Sequence, residues 1–215
     1  PHMSATIIIF AVGAVMMFMG GTQLIWFVAG GSVLVIAFTA LTVLFPYVST
    51  RITTWLDPWS NLQGDGYQIV QSIYAISSGG LFGLGLGNSR QKYLYLPEAH
   101  NDFIFAVICE ELGFIGAVLI ILLFIILVGR GFIIGLRSKT KYGAMLALGI
   151  SFQIGLQAAL NIAVVTSTAP NTGISLPFFS YGGTSLVMLL IEMGMVLAVS
   201  RNVENGERKK VKDGK

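Results

Sequence analysis

Five long apolar runs set the limits on what this chain can fold into. They occupy roughly residues 4–20, 23–46, 103–129, 143–166 and 181–200, and about 20 apolar residues suffice to cross a bilayer as a helix. Hydrocarbon offers no water to satisfy a free backbone N–H or C=O, so such runs become helices. Composition agrees: 54% of the 215 residues are hydrophobic and 11% charged, where a soluble domain carries about 25% charged residues. The predicted class is an all-α integral membrane protein, a polytopic helix bundle with about five transmembrane helices. Residues 1–215 read as a single membrane domain.

Charge placement gives an orientation. Arg130, Arg137, Lys139 and Lys141 lie between the third and fourth runs. Arg201, Arg208, Lys209, Lys210, Lys212 and Lys215 dominate the C-terminal segment, against Glu204, Glu207 and Asp213. Two spans separate these clusters, so they share a side, and the excess of Lys and Arg makes that side cytoplasmic. The net charge of +3 thus reflects topology and gives no reason to expect a nucleic acid. Residues 202–215 form a cytoplasmic tail, read as a solvated segment or a contact for anionic membrane lipids. Residues 47–102 face outward.

That outward segment is too long for an ordinary connection. Trp55, Trp59, Tyr67, Tyr74, Phe82, Tyr93 and Tyr95 suit an ordered interfacial cap, because Trp and Tyr gather at the membrane–water boundary. Ile69, Ile73 and Ile76 at helical spacing predict a short amphipathic helix over 67–76, ended by Ser77-Ser78-Gly79-Gly80. Cys109, the single cysteine, excludes an intrachain disulfide framework and reads as a small buried hydrophobe.

Several clusters can carry chemistry. Gly83-Leu84-Gly85-Leu86-Gly87-Asn88-Ser89 has glycine spacing reminiscent of a phosphate loop but lacks its Gly-Lys-Ser/Thr ending. Arg90 and Lys92 follow it and can meet phosphate oxygens or act as interfacial anchors. Glu98, His100 and Asp102 crowd the lip of the third run. Asp102 is expected in the first turn of that span, where the helix dipole favours its ionised form, as a helix cap or as a reactive carboxylate. Glu98 suits an ion pair or chemistry equally.

Glu110 and Glu111 lie about 12 Å deeper on a continuous helix, where carboxylates are expensive and either functional or paired. Helical rotation turns Glu110 toward the side of Asp102 and Glu111 away from it. Glu192 raises the same question in the last span. Gln153, Gln157 and Asn161 form a polar stripe on the fourth span, as interhelical glue or as a groove lining. The loop from Pro170 to Ser185 must have irregular backbone, and Ser180 and Tyr181 there join Glu98 as candidate substrate-binding residues.

Four blocks then follow one another over about 120 residues. They are Gly66-Tyr67-Gln68-Ile69-Val70-Gln71-Ser72 with Gly79-Gly80-Leu81-Phe82-Gly83; Gly85-Leu86-Gly87-Asn88-Ser89-Arg90-Gln91-Lys92; Leu96-Pro97-Glu98 through Asp102-Phe103-Ile104-Phe105 to Glu110-Glu111-Leu112-Gly113; and Leu176-Pro177-Phe178 through Ser180-Tyr181-Gly182-Gly183. Together they resemble the SEDS family (shape, elongation, division and sporulation), the group of RodA, FtsW and SpoVE. The resemblance implies a fold of ten spans of which this chain is the C-terminal half. The opening Pro1-His2-Met3-Ser4-Ala5-Thr6 resembles the variant family segment that starts the sixth span, so a truncated chain is expected in preference to a cloning scar.

The resemblance further implies a peptidoglycan glycosyltransferase of the bacterial cytoplasmic membrane. Such an enzyme polymerises lipid II, an undecaprenyl-pyrophosphate-linked disaccharide peptide, for cell division, elongation or sporulation, and works with a class B penicillin-binding protein. Asp102 matches the family's essential aspartate and would be the general base. Arg90, Lys92 or a divalent cation (Mg2+ or Mn2+) would offset the leaving pyrophosphate. One departure concerns the Pro-x-x-Gly loop, where some division proteins carry lysine and this chain has Thr172. The competing class is a lipid II flippase or a non-catalytic scaffold, for which Glu110, Glu111 and Glu192 would suit a translocation path.

Overall fold

Helices account for every regular element among the described residues, which in this computed structural model are 3–44, 46–62 and 64–213. They are α1 (Met3–Met19), α2 (Leu24–Leu44), α3 (Pro46–Leu56), a 3-10 turn at Pro58–Asn61, α4 (Asp65–Gly79), a single turn α5 (Gln91–Leu94), α6 (Ile104–Arg137), α7 (Lys141–Val165) and α8 (Gly183–Asp213). Pro1, His2 and Lys215, which carry the expected opening and the end of the tail, lie outside the described residues.

The five apolar runs each became a helix. Helices α6, α7 and the Gly183–Val203 part of α8 are long and apolar enough to cross a membrane, while the apolar stretches Ala5–Met19 and Leu24–Ile36 are shorter. Helix α8 passes through residue 202 without a break, so the start of the expected tail is a change of composition within one helix.

Helices α6 and α7 form the central pair. Small residues let them approach: a Cβ on Gly131 would overlap Ser151, one on Gly135 would overlap Leu148, and one on Gly155 would press Val128 at 3.2 Å. Close backbone approach of this kind is how membrane helices associate where lipid offers no hydrophobic contrast. Phe103, Phe105, Ile154, Leu176 and Val196 are buried around this pair.

The expected amphipathic helix is α4, extended to 65–79 and stopped at Gly80 (φ 53°). It buries Ile69 and Val70, and its Ser72 hydroxyl donates to the Val165 carbonyl at 2.6 Å. Helix α3 is tied down by Trp55 Nε1 donating to the Ser167 carbonyl (2.9 Å) and Arg51 Nη1 donating to the Asn171 carbonyl (2.7 Å). The aromatic segment is thus an ordered layer over one end of the bundle, with Trp59 edge-on to Tyr74 at 5.9 Å.

The continuous third span expected from hydropathy is not continuous. Gly113 adopts φ 68° and ψ −170° inside α6, and residues 80–85 fill the break. The carbonyls of Glu110 and Glu111 accept from Leu84 N (2.9 Å) and Gly85 N (3.0 Å). On the other side, Phe114 N and Ile115 N donate to the carbonyls of Gly80 (2.9 Å) and Leu81 (3.2 Å). A break in an apolar helix exposes backbone groups, and each left unpaired when buried costs about 1–3 kcal/mol. Here the glycine segment pairs four of them. That is the role of these glycines: a Cβ on Gly79 would strike the Cys109 carbonyl, one on Gly83 the Glu111 carbonyl, and one on Gly113 the Gly83 nitrogen. The segment is a plug for a helix break.

Candidate active site

Asp102 lies in the turn of residues 101–103 just before α6, not in its first turn. Phe103 occupies the N-cap position and no side chain caps the helix, which removes the capping reading. The electrostatics also run against the dipole expectation. Burial, and secondarily the neighbouring Glu98 carboxylate, push the Asp102 carboxyl above the ordinary carboxylate range, because removing an anion from water favours its protonated form.

The turn is held from two sides. Asn161 of α7, fully buried, donates through Nδ2 to the Asp102 carbonyl (2.7 Å) and to the Ile174 carbonyl (2.6 Å). Tyr181 N donates to the His100 carbonyl (2.9 Å), and the Ser180 hydroxyl donates to the Asn101 carbonyl (2.6 Å) while accepting from Leu176 N (2.7 Å). Two of the sequence blocks, 96–105 and 176–183, are therefore stitched together around one carboxylate. Glu98 has left-handed backbone (φ 54°) and accepts from Asn101 Nδ2 at 2.6 Å. Opposite Asp102 sits Gly173 (φ 66°), where an added Cβ would lie 3.3 Å from Asp102 Oδ2.

Gly173 also lines a cavity of about 560 Å³ between α1 and α7, whose polar wall is Gln153, Gln157 and Ser175. Both readings of the α7 stripe thus apply. Gln157 Nε2 donates to the Ser175 carbonyl (3.0 Å) and Gln153 Nε2 to Glu192 Oε1 (3.1 Å), and both glutamines face the cavity. A second, apolar groove of about 770 Å³ runs between α6 and α7, with Phe124, Phe132, Phe152 and Leu156 among its walls.

Glu110 does something the sequence reading missed. Fully buried, it accepts from the Ser89 hydroxyl, from Arg90 N (3.1 Å) and from Gln91 N (3.4 Å). A carboxylate receiving backbone N–H groups at a helix start is a strong anchor, and this one fixes the turn that carries Arg90 and Lys92. It is consumed by that turn instead of facing a shared cavity with Asp102. Glu111 is buried with Oε1 unpartnered, as is Glu192 Oε2. Arg90 is exposed; Lys92 is half-buried with Nζ 5.3 Å from the Tyr93 ring centre. Tyr181 is 85% exposed, whereas the Ser180 hydroxyl is engaged on both sides. Thr172 Oγ1 is buried without a partner. Among the described residues no group of three His, Cys, Asp or Glu side chains comes together as a metal site.

A broken membrane helix, a loop plugging the break and a half-buried aspartate whose backbone is clamped at the bundle's end define an all-helical, multi-pass membrane protein. The cell cycle protein family of FtsW, RodA and SpoVE matches residues 1–205, and the chain belongs to that family. Stage V sporulation protein E of Bacillus subtilis (strain 168) is 50% identical over 187 residues, 87% of this chain and 51% of that protein. The probable peptidoglycan glycosyltransferase FtsW of Coxiella burnetii (strain RSA 493 / Nine Mile phase I) is 44% identical over 214 residues, 95% of this chain and 56% of that protein. Among solved structures, a chain of a peptidoglycan synthase complex that coordinates polymerization and crosslinking superimposes with a TM-score of 0.74 at 29% identity, covering 94% of this chain and 56% of that one. The chain spans about half the length of the curated relatives it matches.

Proposed function

We propose that this chain is the part of a peptidoglycan glycosyltransferase that carries the catalytic base, and that the whole protein polymerises lipid II. The single observation behind this reading is Asp102: a carboxyl with a raised proton affinity, held by its backbone and open on one side beside a glycine. A base that removes a proton from a sugar hydroxyl works best when its own affinity is lifted toward the working pH. As the acceptor hydroxyl attacks the anomeric carbon of the donor, its proton passes to an Asp102 oxygen and the lipid pyrophosphate departs. Arg90 and Lys92, presented by the turn that Glu110 anchors, offset the charge of that leaving group. A divalent cation (Mg2+ or Mn2+) bound with the substrate's pyrophosphate would add to that offset.

The groove between α6 and α7, about 770 Å³ and lined almost wholly by apolar side chains, suits a polyprenyl chain. Glu98 and the exposed Tyr181 ring stand at the edge of the same loop pair as substrate contacts. A class B penicillin-binding protein is the expected partner, and the similar chain from a peptidoglycan synthase complex supports that pairing. The C-terminus is assigned to the cytoplasm by its basic residues. Of the three carboxylates that would suit a translocation path, Glu110 is engaged in local hydrogen bonds, while Glu111 and Glu192 each keep one buried oxygen unpartnered. In the full-length protein, Asp102→Asn should abolish glycan synthesis from labelled lipid II while expression stays at the wild-type level; polymer from that variant would sink the assignment.

A further inference from the structure

We infer that Asn161 is a positioning residue for this site: one buried amide, bonded to the carbonyls of Asp102 and Ile174, sets the distance between the Asp102 carboxyl and Gly173. The inference rests on the reading of Asp102 as the base. Both partners are carbonyl oxygens, at 2.7 and 2.6 Å, so the NH2 end must face them and both its protons are used. The same residue leaves Oδ1 buried with no partner. A buried acceptor without a donor is destabilising, so a site shaped for stability alone would not retain it. What the amide achieves is geometric. It joins two loops that share no helix and brings Gly173, where a Cβ would stand 3.3 Å from Oδ2, against the carboxyl.

The charged surroundings are simple. Glu98 acts on Asp102 from its own loop, and His100 lies two residues away and exposed. Arg51 of α3 reaches the facing loop at the Asn171 carbonyl. Neither α7 from Gln157 to Val165 nor residues 166–176 contain an acidic or basic side chain.

The experiment uses the full-length protein and the pH profile of lipid II polymerisation, with Asp102→Asn in parallel. Asn161→Leu keeps the volume and removes both donors. It should lower kcat by about 100-fold, as expected for a misplaced reacting group, while KM moves less than about 3-fold. The loosened turn admits water to the carboxyl, so the acid limb of the profile should shift to lower pH. Gly173→Ala strains a left-handed backbone (φ 66°) and adds a methyl beside Oδ2; the folded fraction of this variant excludes water there and should shift the same limb to higher pH. Ser72→Ala removes a buried hydrogen bond to α7 near the same end and serves as the control for stability; it should leave the limb in place.

An unmoved limb in both Asn161→Leu and Gly173→Ala, with Asp102→Asn inactive, overturns the inference alone. If Asn161→Leu does not accumulate, an unmoved limb in Gly173→Ala is sufficient to overturn it. Polymer synthesis by Asp102→Asn overturns the catalytic reading and the inference with it.

Discussion

At the scale of single residues, the burial of the Asp102 carboxyl has a consequence for stability. Burial and the nearby Glu98 raise the proton affinity of Asp102 in the folded protein. The native state therefore binds that proton more tightly than the unfolded chain, and between the ordinary and the raised value stability falls as pH rises. Asp102→Asn keeps the shape and removes the charge. Near neutral pH it should melt in detergent at or above the wild-type temperature, and the gap should close as the pH falls below about 4, the ordinary carboxylate value. A variant that melts well below wild type near neutral pH would contradict this. Glu110 differs in its surroundings: its carboxyl oxygens accept from one hydroxyl and two backbone N–H groups. Glu110→Gln turns an amide donor toward those donors and should cost about 1–3 kcal/mol. Trypsin should then cut faster at the exposed Arg90; unchanged cleavage and melting would show that the turn stands without the carboxylate.

At the scale of elements, the broken helix decides how the site is built. Gly113 needs its left-handed backbone, and a Cβ there would meet the Leu81 carbonyl at 2.6 Å as well as the Gly83 nitrogen. Left-handed geometry alone costs a residue with a Cβ about 1–2 kcal/mol. Gly113→Ala should therefore lower the melting temperature and the yield of folded protein far more than Gly129→Ala, whose site has open space around it. Equal behaviour of the two would remove the plug from the account.

None of this is legible in hydropathy. The run from Phe103 to Gly129 is apolar on both sides of the break, and a lone glycine within a helical pattern is ambiguous. The positions of the apolar helices, the α4 segment with its glycine stop, and the polar stripe on α7 were legible, because each rests on local periodicity. The partners of that stripe were not. Nothing in the spacing of Gln153, Gln157 and Asn161 says that the last of them bonds residues 59 and 13 positions away. The sequence blocks came in family order, but that the glycine block plugs the break beside Glu110-Glu111 is a tertiary fact.

At the scale of the whole molecule, sidedness can be argued from bonds and charge together. Helix α3 and the loop before α6 are joined to the segment after α7 by the Arg51–Asn171, Trp55–Ser167 and Ser180–Asn101 hydrogen bonds, so they occupy one end of the bundle. The α6–α7 connection with Arg137, Lys139 and Lys141 lies at the other. Residues Phe114–Arg137, beyond the break, extend about 36 Å as helix, more than the roughly 30 Å hydrocarbon core. One crossing by α6 would therefore separate the Asp102 end from the basic end, and the positive-inside rule proposes the cytoplasm for the basic end. Cysteine labelling tests this with little background, since the native Cys109 is buried. In intact cells, Tyr93→Cys, at a side chain 68% exposed, should react with a membrane-impermeant maleimide. Tyr142→Cys, at one 77% exposed, should react only after the membrane is opened. The reverse pattern would invert the orientation and put Asp102 on the cytoplasmic side. Equal labelling from outside would mean that α6 does not cross at all.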